Sequence, residues 1–361
     1  MTQYLSGLGI GLALVGTTAK ADEEGRLYTM DNAAGANHVL AFQQEENGSI
    51  TSAGTYATGG AGAGAGLSSQ GSISLSHDGR WLFVCNAGSS EVSVFAASRD
   101  GLVLTDKVAS GGQMPVSLAI SHHLLYVVNA GGSAGGSDNI TAFTFDNGKL
   151  TTLAGSTQPL SAANTGPAQV SFAQDGEVIL VTERLTNLID TYALRNDGVA
   201  REHHTFQSVG TTPFGFDVGS DRMFVSEAGT GSASSYKVSD DGELAVISGA
   251  VSTEQNAPCW LILSRDARFA YTANAGSGSI SGFRVGHEGS LHLLDADGRT
   301  GVIGTGTHPV DMVVSRDGRF LNCLANGNGT INAFGIGEDG SLQPLAVASG
   351  IATSAAGLAG R

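Results

Sequence analysis

Seven times along the 361-residue chain one unit recurs: a strand ending in a small or polar cluster, a second strand carrying an aromatic, an Asp-Gly-type turn, and a further strand before a Gly/Pro start to the next unit. The clearest copies begin at Trp81, Leu124, Arg222, Arg268 and Arg319, with weaker ones at Leu27 and Val178. Their spacing of roughly 42 to 55 residues is that of four-stranded propeller blades and too long for leucine-rich or ankyrin repeats. Period-two alternation within each short run selects strand over helix.

A blade needs four strands, lettered A to D from the central axis outward. The B strands are expected to end at Asn32, Asn86, Asn129, Glu183, Glu227, Asn274 and near Asn326. The C strands carry Phe42, Phe95, Phe143, Tyr192, Tyr236, Phe283 and Phe334, and the D strands follow hairpin turns such as Asp100-Gly101 and Asn147-Gly148. A strands begin near Gly71, Val116, Ala168, Phe214, Cys259 and Val310, one short of the number required. The missing one must come from Ala355 to Ala359, so that the C-terminus completes the first blade and no open sheet edge remains. The fold class is therefore all-β, a seven-bladed propeller over residues 26–361, preceded by a leader over residues 1–25.

A repeat array grows by adding blades, so this length is compatible with one domain. A formal charge of −15 disfavours nucleic acid and anionic membranes as partners, and no run of eighteen apolar residues is present to span a bilayer. In the leader, the apolar run Leu5 to Val15 and the small-residue stretch Ala19 to Ala21 resemble a signal peptide, although its start lacks Lys and Arg. Secretion or a periplasmic location is expected, with the cytoplasm as the alternative. Cys85, Cys259 and Cys323 have no metal-type spacing; the first and last read as small buried hydrophobes. No cofactor or metal is expected, and the chain is read as a monomer whose partner is a small molecule.

In such blades the A-to-B and C-to-D turns share one face. Here they are plain Asp-Gly-Arg turns at 78–80 and 317–319 and an Asp-Ala-Arg turn at 266–268, where most arginines pair with neighbouring Asp. On the other face the repeats cease to be alike, and loops on a rigid scaffold are where binding resides. There Glu183 and Glu227 replace Asn at two B-strand ends, and Arg184 follows directly. The D-to-A loops add Gln70, Gln113, Gln169, Phe214, Trp260, His308 and Asp311. Asn86, Asn129 and Asn274 complete an amide-rich funnel. Each residue has two open readings: the Asn side chains cap turns or touch a ligand, Glu183 pairs with Arg184 or acts chemically, and Trp260 and Phe214 pack or form a platform. His203 and His204 lie in an outer strand and read as surface.

The pattern from Tyr271 to Phe283, YTANAGSGSISGF, together with P-x-x-apolar blade starts and Asp-Gly-Arg turns, resembles the lactonase-type seven-bladed propellers. That family includes bacterial 6-phosphogluconolactonase and the fungal carboxymuconate lactonizing enzymes. The resemblance keeps the family's acids at Glu183 and Glu227. It replaces a family His by Gln169 and an Arg-His pair by Phe214-Gly215. What it implies is a lactonase-like hydrolase or cyclase for a neutral or weakly charged small molecule, with Glu183 or Glu227 as general base and Arg184 or a Gln amide stabilising an oxyanion, while His308 reads equally as a catalytic or a structural loop histidine. The alternative is a non-catalytic propeller binding a glycan, metabolite or protein on the same face. A third is Ca²⁺ held on the axis by Glu183, Glu227 and the Asn amides.

Overall fold

In the computed structural model, which describes residues 25–361, each of the seven repeats is its own antiparallel sheet. Blade one orders D to A as Ile50–Ala57, His38–Gln44, Gly25–Met30 and Ala356–Gly360. The other six run A, B, C, D along the chain, with A strands at Ile73–Leu75, Pro115–Ser121, Pro167–Ala173, Pro213–Gly219, Pro258–Leu263 and Pro309–Val314. Blades three and six split the D strand into two short pieces. The closing strand lies one residue later than Ala355 to Ala359. Tyr28 pairs with Ala359 and Met30 with Ala356, and the backbone groups of Arg26 and Arg361 exchange two bonds of 3.0 Å. Among the described residues no helix is long and apolar enough to cross a membrane. The expected signal sequence lies outside the described residues.

The middle strands are apolar on both faces because each sheet is sandwiched between two others. Trp81–Asn86 and Val178–Glu183 are buried almost throughout. Phe83, Cys85, Val92 and Val94 of blade two pack on Leu118, Leu125, Val127 and Phe143 of blade three. Blades four and five repeat this with Val178, Leu180 and Ile189 against Phe216, Met223 and Val225. D strands alternate in exposure instead, as in Gly101–Ala109, since only one of their faces meets a neighbour over most of its length. Cys85 and Cys323 are buried and unpaired with another sulfur.

On the turn face, the Asp-Gly-Arg motif acts as expected. Ser76 Oγ donates to Asp78 Oδ1 at 2.6 Å, Asp78 accepts from the Arg80 amide at 3.1 Å, and its other oxygen pairs with the Arg80 guanidinium. The same arrangement recurs at Ser264–Arg268 and Ser315–Arg319.

Near the axis the A strands belong to separate sheets and are joined by side chains. Five blades start with a residue at positive φ before proline: Met114, Gly166, Thr212, Ala257 and His308. Proline disfavours right-handed helical φ/ψ just before it, and a bulge follows in each strand. The bulges leave Ala168, Phe214, Cys259 and Asp311 outside the A–B pairing and re-aim side chains. Gln169 exchanges two hydrogen bonds with the backbone of Phe216, at 2.9 and 2.6 Å. Asp217 accepts from the Leu263 amide at 2.9 Å, and Arg265 donates to the carbonyls of Val314 and Ser315.

Candidate functional site

The B-strand ends are interior positions. Asn86, Asn129, Glu183, Glu227 and Asn274 all have no exposed surface. Asn86 accepts from Asn37 and Thr58 and donates to Ser93 Oγ at 2.8 Å, while Asn274 donates to Ser279 and Ser281. Asn129 donates to Ser110 and Asn139, leaving its Oδ1 without a partner. Glu227 accepts from Ser208 Oγ, the Gly210 amide, Ser232 Oγ and Ser234 Oγ, at 2.7 to 3.0 Å. These side chains pin the incoming D-to-A loop and the first residues of strand C. A recurring partner seven residues downstream reports the role: Ser93 for Asn86, Ser234 for Glu227, Ser281 for Asn274.

Blade four departs from this, because the residue seven after Glu183 is Asp190. Both carboxylates are fully buried and both accept from the Ser161 amide, at 3.0 and 3.2 Å. Thr186 also donates to Glu183, and Thr205 to Asp190. His203, read as surface, keeps one edge exposed but turns Nε2 to Asp190 at 3.0 Å and stacks on Tyr192 at 4.6 Å. Two buried carboxylates this close cannot both ionise freely. Burial, then Asp190, pushes Glu183 up to about 7; burial also raises Asp190, but hydrogen bonds from His203 and other neighbours outweigh it and hold Asp190 below its ordinary value. The Asp190 contact in turn raises His203.

The sign of the pH dependence follows. An acid raised in the folded state stabilises fully below its unfolded value, near 4.5, and that contribution is lost as pH rises through about 7. Glu183→Gln mimics the protonated form. Its Tm advantage over the natural chain is expected to grow from near zero at about pH 4 to about 2 °C or more at about pH 8. Scanning calorimetry across that range checks it; a constant difference rejects the shared-proton pair.

Arg184 does not pair with Glu183. Its guanidinium lies 5.5 Å from the centre of the Phe214 ring, and Phe214 in turn packs on Trp260 at 4.9 Å. Phe214 and Trp260 are 4 and 7 % exposed, so both are chiefly packing residues. Trp260 Nε1 donates to the Ser69 carbonyl at 2.9 Å. Gln70 reaches from the start of blade two to Phe216 and Leu261, donating to both carbonyls and accepting from the Leu261 amide. Gln169 is likewise spent on Phe216, while Gln113 is exposed on the rim. The two glutamates and Arg184 therefore do not converge on one concavity. The candidate Ca²⁺ ligands are buried B-strand residues of five different blades, and among the described residues no group of three or more His, Cys, Asp or Glu side chains is placed to hold a metal.

What converges instead is a cavity of about 180 Å³ beside the axis, lined from blades six, seven, one and two. Its walls are Leu67, Trp260, Ala275, Val310, Ala355 and Ala356, and its polar side chains include His308, Asp311 and Asn326. A void of about 150 Å³ accommodates a benzene ring, so a monocyclic ligand fits. Asp311 is 3 % exposed and accepts from the amides of Gly71, at 3.2 Å, and Met312, at 2.9 Å. Burial nevertheless pushes its carboxyl up to about 7. His308, exposed with φ 46°, is held at the start of blade seven by Pro309.

The last B strand, expected to end near Asn326, stops just before that residue. Strand B of blade seven ends at Ala325, which pairs with Thr330 as Asn274 pairs with Ser279. Ala325 fills the interior position, and Asn326 corresponds to Ala275 in blade six and faces the cavity with it. The signal was present in the sequence: counting back from Ile331 and Ile280 aligns Asn326 with Ala275.

The family model "Lactonase, 7-bladed beta-propeller" matches residues 21–161, 137–244 and 219–357. Among solved structures, a putative 6-phosphogluconolactonase from Bacteroides fragilis is similar at 19 % identity and TM-score 0.71, covering 95 % of this chain and 99 % of its own. The periplasmic gluconolactonase of Pseudomonas aeruginosa is similar at 16 % identity and TM-score 0.74, covering 93 % and 98 %. Streptogramin B lyase shares the fold more loosely, at 15 % identity, TM-score 0.59 and coverage of 80 % and 85 %. No curated protein matches the sequence.

Proposed function

Since the chain belongs to the lactonase family of seven-bladed β-propellers, we propose that it hydrolyses a small uncharged lactone in the cavity lined by His308, Asp311 and Asn326. The carrying observation is the cavity itself: a mostly apolar hollow of monocyclic size with a few polar groups, one of them a buried carboxyl tuned to about 7. An acid titrating near the working pH is suited to moving protons in either direction. Among the described residues no Lys or Arg lines the hollow, so a phosphorylated sugar lactone finds no countercharge from them there.

In this reading water adds to the lactone carbonyl carbon and its proton passes to the Asp311 carboxylate. The Asn326 amide donates to the oxygen on which negative charge develops. The ring C–O bond then breaks, His308 at the mouth relays a proton to the departing alkoxide, and the product is a hydroxy acid. Glu183 and Glu227, sealed in the loops, play no chemical part in this scheme.

The test is a pH-stat panel of γ-butyrolactone, δ-valerolactone, glucono-δ-lactone and 6-phosphogluconolactone. Turnover of the uncharged lactones is expected, falling about 100-fold or more in Asp311→Asn and also falling in His308→Gln. No turnover above buffer, or turnover unchanged in both variants, rejects the reading. We also place the protein outside the cytoplasm, on the apolar run near the N-terminus; a natively expressed protein whose N-terminus still begins at Met1 or Thr2 overturns that placement.

A further inference from the structure

Arginine on this protein is either exposed to water, as at Arg99, Arg201, Arg284 and Arg299, or satisfied. Arg80, Arg195, Arg222, Arg268 and Arg319 pair with carboxylates, and Arg265 and Arg361 donate to carbonyls. Arg184 is different. It is half-buried, its Nε has no hydrogen-bond partner, and among the described residues its guanidinium forms no ion pair. The adjacent Glu183 is turned into the loop, and Asp138 is occupied by Gly132, Thr165 and Gly166. Burial lowers the Arg184 pKa, and the nearby Asp138 charge offsets this only in part.

The group is also held in place. Phe214 supports its face, and the Arg184 amide donates to the Gly166 carbonyl at 3.2 Å. Gly166, at φ 60°, leaves room there: a Cβ would stand 2.8 Å from Leu185 and 3.4 Å from Arg184 Nη2. Leu185 therefore flanks the guanidinium, and it is 61 % exposed. An unpaired planar cation beside an uncovered leucine has the two halves needed to recognise an amphiphilic anion.

We propose that Arg184 and Leu185 form a second binding site, for an organic acid whose carboxylate meets the guanidinium and whose apolar body covers the leucine. Planar guanidinium and carboxylate match through paired hydrogen bonds. Neither Arg184 nor Leu185 lines the axial cavity, although Phe214 touches both the guanidinium and Trp260 of the cavity wall, and the site does not depend on lactone hydrolysis.

Hexanoate, acetate, inorganic phosphate and chloride, compared at equal ionic strength by calorimetric titration and thermal shift, test it. Hexanoate is expected to bind at least tenfold more tightly than acetate, and chloride to give no saturable signal. Arg184→Gln should weaken hexanoate at least tenfold. Leu185→Ser, a change at an exposed position, should leave acetate as it was and abolish the preference for hexanoate. Phosphate binding more tightly than hexanoate overturns the carboxylate assignment. Equal responses of the natural chain and Arg184→Gln, or a hexanoate preference that survives Leu185→Ser, overturn the site.

Discussion

Removal of the residues after Gly350 is expected to abolish soluble, cooperative folding. The deletion takes away strand A of blade one, Ala356–Gly360, and leaves the backbone edge of Gly25–Met30 unpaired around Tyr28. Buried Ile351, Ala355 and Leu358 go with it, as do the bonds from Thr29 Oγ1 to Ala356 and from Ser354 Oγ to the Asp31 carbonyl. Each buried leucine or isoleucine contributes about 1.5–3 kcal/mol, against a total stability of about 5–15 kcal/mol for a domain. A ring adds a further penalty, because strand A of blade one also packs between those of blades seven and two. Gly357 shows how tightly: a Cβ there would stand 2.6 Å from Ile73 and from Ser72. Deleting residues 1–21, which precede every described strand, should leave unfolding unchanged. Thermal unfolding of the two truncations compares them. A C-terminal deletion that melts like the full chain rules out the closure as a source of stability.

Replacing Glu227 by Leu is expected to cost about 3–5 kcal/mol, because each buried donor left without an acceptor costs about 1–3 kcal/mol. Four donors, from Ser208, Gly210, Ser232 and Ser234, lose their common acceptor in a place water does not reach. The loop after strand D of blade four, Ala200–Gln207, then loses its fastening to blade five. Glu227→Gln keeps one acceptor oxygen and should cost clearly less. Urea unfolding measures both; a Leu variant within about 1 kcal/mol of the natural chain removes the anchoring role.

Seven aromatic-bearing C strands, the Asp-Gly turns and the need for one more A strand were legible in the sequence, because strand alternation and turn chemistry are local properties. The site was less so. Glu183 and Glu227 stand out in a row of asparagines, and that difference reads as chemistry until Ser161, Ser232 and Ser234 are seen around them. The D-to-A loops carry Trp260, His308 and Asp311, but nothing in their spacing groups them with Leu67, Asn326 and Ala356. His203 shows the same limit from the other side, since its tie to Asp190 depends on the pairing of two strands.

The repeat by itself determined the fold, the number of blades and the use of the C-terminus to close the ring, since each of these follows from counting strands that local pattern defines. Only the tertiary structure decided which polar residues are sealed and which are open. A B-strand end is buried because the preceding D-to-A loop folds over it, as at Glu227, whereas the residue just after it can face the cavity, as Asn326 does after the buried Ala325. The cavity exists because ring closure brings residues from the two ends of the chain, Leu67 and Ala356, against blade seven, and proximity of that kind is a property of the closed ring that no single repeat contains.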